Sequence, residues 1–165
     1  NDALKRYGTL PDHLKRHRLV CNTYRLALSY QNRLYYQTIQ SIAALKPPIL
    51  ALLASTYLPK VFLMAIKVMS FGYSSPNTQF PIRKLSQWLC PFESNAQKAD
   101  NYIENMCQSY GLDVNTDCIG FNKTKFKETA KPYENQKWSS LEFSLKELSL
   151  SSLLIGRHEL SHFEE

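Results

Sequence analysis

Glycine is scarce in this chain, with five in 165 residues. That scarcity disfavours Gly-rich phosphate loops and turn-dense β folds, both of which need residues free to take positive φ. No Cys-x-x-Cys pair occurs among Cys21, Cys90, Cys107 and Cys118, which removes the simplest zinc and redox motifs. G-x-S-x-G, the P-loop and G-x-G-x-x-G are also missing, and with them the nucleophile-elbow hydrolases, P-loop NTPases and dinucleotide-binding folds. No family signature covers a useful length. The first residue is Asn1 rather than Met, so the expected origin is a fragment or processed part of a longer chain.

What is present points to packed helices. Apolar residues make up 44%, with ten tyrosines and eight phenylalanines, enough for a single domain over residues 1–165 with a real core. The net charge of +6 is uneven. Residues 1–46 hold Lys5, Arg6, Lys15, Arg16, Arg18, Arg25, Arg33 and Lys46 against Asp2 and Asp12, so 8 − 2 = +6, and the remainder sums to zero. A localised excess makes a directed field and is a stronger partner signal than a global isoelectric point. The four cysteines are expected to be buried free thiols in an intracellular protein. An even count also permits two disulfides in a secreted one, and the Asn122-Lys123-Thr124 glycosylation sequon would matter only there.

The pattern predicts a mainly α fold, an irregular helical bundle with a long N-terminal helix, two short apolar core helices and a C-terminal helix. Pro11 suits a first turn, and neither Gly nor Pro follows until Pro47-Pro48, so one helix is expected over 11–45. Cys21, Tyr24, Leu28, Gln31, Tyr35, Thr38, Ile42 and Leu45 form a heptad-like seam on it, with His13 and His17 in phase. Lys15, Arg18, Arg25 and Arg33 fall on a separate, solvated face. Residues 49–70 are strongly apolar, but Pro59, Lys60 and Lys67 interrupt them, so two core helices broken at Pro59 are expected rather than a membrane span. Residues 72–81 and 112–137 read as loops, the second with a short strand or irregular packing around Val114, Cys118, Ile119 and Phe121. Between them lie a short amphipathic helix at 82–90 and a helix from a Ser94 cap to Tyr110, stopped by Gly111. Helix is again expected from Trp138.

The histidines carry the only motif with chemistry in it. His158-Glu159-Leu160-Ser161-His162 fits H-E-x-x-H, in which two imidazoles on one helix face hold zinc and the glutamate acts as general base. Arg157 sits directly before the first ligand, and only three residues follow the second. His13 and His17 make another i, i+4 pair, and if the first and last helices pack antiparallel, all four imidazoles could close a structural zinc site. No other cofactor is expected. The simplest reading leaves both pairs as surface residues. Asp100 and Glu104 read as surface charges rather than an acid–base pair.

These features favour a non-enzymatic helical interaction module of a larger assembly. Lys15, Arg16, Arg18, Arg25 and Arg33 would contact an acidic protein surface or a nucleic-acid backbone, with Tyr30 or Tyr36 able to stack on a base. The alternatives are a secreted helical-bundle ligand with two disulfides, and a zinc-binding or truncated zincin-like domain using His13, His17, His158 and His162, with Glu159 catalytic. A membrane partner is not expected.

Overall fold

The computed structural model describes residues 2–46, 48–75 and 78–146. In chain order these form α1 (Asp2–Thr9), α2 (Asp12–Lys15), α3 (Arg18–Gln31), α4 (Tyr35–Ala43), α5 (Pro48–Ser55) and α6 (Leu58–Gly72). There follow β1 (Gln79–Pro81), α7 (Ile82–Leu89), α8 (Ala96–Ser109), β2 (Asp113–Val114), β3 (Cys118–Gly120) and α9 (Ser139–Lys146). The expected helical bundle is there, but the expected long helix over 11–45 is not: three helices replace it. Neither break uses Gly or Pro.

The first break is at His17, whose backbone is extended and whose Nδ1 accepts the Leu19 N–H at 3.3 Å. A side chain that supplies an acceptor to the first turn starts a new helix there. The second break is a Schellman motif. Leu34 N–H donates to Ser29 O at 2.9 Å, Arg33 N–H donates to Tyr30 O at 3.2 Å, and Arg33 takes φ 58°. Glycine usually fills that left-handed position, since an L side chain there costs roughly 1–2 kcal/mol. An arginine gave no warning of it. With the helix interrupted twice, His13 and His17 no longer share the α3 seam, and the basic residues no longer share one face.

The apolar stretch forms two core helices as expected, α5 and α6, but the break falls just before Pro59. Pro59 itself sits in the first turn of α6, where its missing N–H has no helical partner to lose. The chain turns just before it, at Thr56 and Tyr57, and α5 and α6 meet at a bend of 57°. Among the described residues no single helix is long and apolar enough to cross a membrane. Instead α6 puts Leu58, Phe62, Ala65 and Ile66, at helical spacing, into the core. Ile39 and Ile42 of α4, Leu85 of α7, and Ile103 and Met106 of α8 meet them.

The two stretches expected as loops supply a small sheet. β3 is central, in the order β1-β3-β2, with both pairings antiparallel and Phe80 opposite Ile119. Strands of two or three residues carry too little alternation to be read from sequence. In chain order β1, α7, α8, β2 and β3 follow one another, and α7 and α8 pack together beside the sheet. Residues 121–138 are held by specific anchors. Phe121, Phe126 and Trp138 are buried, and the phenol oxygen of Tyr110 accepts Tyr133 N–H at 3.0 Å. The Asn122 sequon is a turn: Asn122 Oδ1 accepts both the N–H and the hydroxyl of Thr124. The helix expected after a Ser94 cap starts one residue later, capped by Asn95 Oδ1 on Lys98 N–H at 3.1 Å.

Candidate interaction surface

The N-terminal helices leave much apolar surface open. Tyr30, Leu34, Leu53 and Tyr57 are exposed, Tyr57 to 64%. Three contiguous cavities follow one side of α3. The first, about 280 Å³, lies between α1 and α3, under Leu4, Tyr7, Leu19 and Val20. It shares Thr23 and Ala27 with the second, about 420 Å³, which has Leu26, Ile42 and Ala54 in its walls. The third, about 240 Å³, shares Tyr30 and Val61 with the second and is flanked by Arg33 and Lys60. Together they make an apolar trough that runs the length of α3. The charged side chains lining it are Arg6, Arg33 and Lys60, and no carboxylate does.

The lack of carboxylates follows from the sequence. No Asp or Glu occurs between Asp12 and Glu93. Through residue 92 the chain carries 12 basic and 2 acidic groups, so 12 − 2 = +10, and from Glu93 onward 8 basic and 12 acidic groups, so 8 − 12 = −4. The charge boundary therefore lies at Glu93, not at residue 46. Lys60 and Tyr57 escaped notice because they belong to a stretch read only as core.

The five basic residues expected to act together are dispersed. Lys15 is half-buried and pairs with Asp12 at 3.5 Å. Arg16 caps the C-terminus of α2, and Arg18 opens α3. Arg25 lines a separate groove between α3 and α4, of about 440 Å³, with Asn22, Asn32, Tyr36 and Gln40. Only Arg33 reaches the trough. Arg16, Arg18, Arg25 and Arg33 are exposed and make no ion pair among the described residues.

On the other side of the molecule the charges are tied down. Asp100 of α8 accepts Arg83 Nη1 at 3.0 Å and the Ser86 hydroxyl. With Glu104 and Asp117 it lines a polar pocket of about 230 Å³ where α7, α8 and the β2–β3 turn meet. The carboxylates of Asp100 and Glu104 on α8 would repel a phosphate there. Glu93, with 1% of its side chain exposed, holds the backbone N–H of Asn95, the Ser139 hydroxyl, and Lys98 Nζ at 2.9 Å. Burial works to raise its pKa, but the Ser139, Lys98 and Asn95 contacts outweigh that and hold it below the usual carboxylate value.

The cysteines are free thiols, and no disulfide joins them. Burial pushes the thiols of Cys90 and Cys107 far up, with Glu93 and Asp100 adding to the shift at Cys90, so neither is a nucleophile near neutral pH. Cys21 donates its S–H to Lys15 O at 2.9 Å. Among the described residues no three or more His, Cys, Asp or Glu side chains come together as metal ligands. His13 is exposed and His17 caps α3. His158, Glu159 and His162 lie outside the described residues, and so does any meeting of the two pairs.

Residues 1–116 match the SAC3/GANP family, a stretch that runs from α1 through β2 and contains the whole trough. The chain belongs to the SAC3/GANP family. Comparison with curated proteins and with solved structures gave no match. Membership of this family supports a subunit of a larger complex with protein partners, and it agrees with an intracellular location. None of the short motifs sought in the sequence pointed to the family, whose match spreads over 116 positions.

Proposed function

We propose that this SAC3/GANP chain is a non-enzymatic interaction module of an mRNA-export assembly of the TREX-2 type, and that its N-terminal helices offer the contact surface to a protein partner. The observation that carries this reading is the apolar trough along α3, left open in a stretch with no acidic residue between Asp12 and Glu93. Soluble monomers rarely leave connected apolar surface open without a use for it. Arg33 flanks the trough, Arg18 and Arg25 stand exposed elsewhere on α3, and all three can steer an acidic partner. Nucleic acid is the weaker reading, since the trough has an aliphatic floor and α8 presents the carboxylates Asp100 and Glu104.

Gel filtration of the full-length protein from native extract tests the module directly. Elution far above its own mass is expected, and elution as a monomer would reject the reading. Reversing Arg18, Arg25 and Arg33 to glutamate together should lower retention of the partner about tenfold or more, with the helical circular dichroism unchanged. Binding equal to wild type would remove these arginines from the interface.

A further inference from the structure

The trough along α3 has a definite chemistry. We propose that it receives an acidic amphipathic helix from a protein partner. This rests on the interaction-module reading and names the partner's class. Three observations carry it.

The first is shape. The trough follows α3 from Leu19 to Gln31, and twelve steps of helical rise make roughly 18 Å. That length suits a helix of about a dozen residues, with apolar anchors at i, i+3 or i+4, and i+7. Its floor is aliphatic, with Leu26, Ala27 and Val61, and Tyr30 and Tyr57 stand on its walls. A sugar–phosphate backbone gains nothing from such a floor.

The second is charge. Arg6 lies at one end of the trough and Arg33 and Lys60 at the other, with no carboxylate between. A helix with Asp and Glu flanking its apolar stripe meets a cation at each end. A second copy of the same face would bring arginine against arginine.

The third is Arg33 itself. It occupies the left-handed position of a Schellman motif at φ 58°, where glycine fits with less strain. Its side chain makes no hydrogen bond or ion pair among the described residues, so none of them calls for arginine there. A strained position occupied by an otherwise idle charged side chain at the trough's end fits a use in binding.

A photo-cross-linking phenylalanine analogue placed at Tyr30 or Tyr57 of the full-length protein in cells tests this, with the attached peptides read by mass spectrometry. The expected product is a segment of another protein that is net negative, with apolar residues three and four apart. Cross-links to this same chain, to nucleotides, or to basic or neutral peptides would overturn the proposal, and so would none at all. Arg33→Gly should cut the cross-linking yield about fivefold while leaving the melting temperature equal or higher, since glycine relaxes the turn. An unchanged yield would also overturn it. If the protein elutes within an assembly but the trough captures no acidic helix, this inference alone falls. If it elutes as a monomer, the module reading falls with it.

Discussion

Helices α3 and α8 are built to the same length and finished in the same way, yet they live differently. Each has 14 residues. Each ends in a Schellman motif with a left-handed residue, Arg33 at φ 58° and Gly111 at φ 84°. After α8, Leu112 turns inward and is 5% exposed, whereas after α3 its counterpart Leu34 stays 45% exposed. α8 buries Ala99, Tyr102, Ile103, Met106 and Cys107 against α7 and the sheet, but α3 buries only Ser29. At Gly111 both conformation and space demand glycine, since a Cβ would lie 2.7 Å from Lys125 O. At Arg33 only the conformation does. One helix is a pillar of the fold and the other is largely a surface, and the residue at the C-terminal turn of each records the difference.

That contrast breaks most sharply in the cores. Ile103→Ala, at a fully buried site on α8, should cost about 3 kcal/mol, whereas Leu26→Ala on the trough side of α3 should cost under about 1 kcal/mol. Urea midpoints of the two variants measure it, and equal losses would mean that α3 is as structural as α8. The C-terminal turns give the next effect. Gly111→Ala should lose about 2 kcal/mol, from the left-handed backbone and the Lys125 carbonyl together. Arg33→Gly should lose nothing in a thermal melt.

Acid sharpens the comparison on the packed side. Glu93 has its pKa lowered in the folded protein, so its contribution is fully present above the unfolded carboxylate value near 4.5. As pH falls through the folded pKa, that contribution is lost. Stability should therefore drop below about pH 4.5 in the wild type, and Glu93→Gln should be weaker at neutral pH but flatter in acid. Urea titrations at pH 7, 5 and 3 check this, and parallel curves would deny Glu93 its role in fastening α9 to the α7–α8 connection. The smallest effect belongs to the exposed Asp113–Lys125 pair, where Lys125→Ala should change stability by less than about 0.5 kcal/mol.

What could be read from sequence followed the strength of the local signal. α7 and α8 came close to their expected bounds because Pro81, Pro91 and Gly111 punctuate them and Ala99, Tyr102, Ile103 and Met106 mark one face. The breaks at His17 and Arg33 could not be foreseen. A histidine cap and an arginine in the left-handed region are uncommon choices, and propensity reports the common ones. The three strands are too short to carry a period, and β1 pairs with a strand some 40 positions away, as Phe80 and Ile119 show, although β2 and β3 pair locally. The trough went unseen for a related reason. Its walls come from α1, α3, α4, α5 and α6, and each contributes residues that alone look like ordinary core.

The sequence by itself determined that the chain is helical, that its net positive charge precedes Glu93, and that nucleophile-elbow, P-loop and dinucleotide-binding motifs are missing. Those properties belong to composition and to periods of three and four residues, which act locally. Tertiary structure decided which apolar faces would be covered. α6 and α8 met partners from both halves of the chain, while the trough side of α3 is only partly covered among the described residues, because burial depends on what arrives from elsewhere and not on the face itself. The same packing turned a lone arginine at a helix end into the cation at the end of an apolar trough.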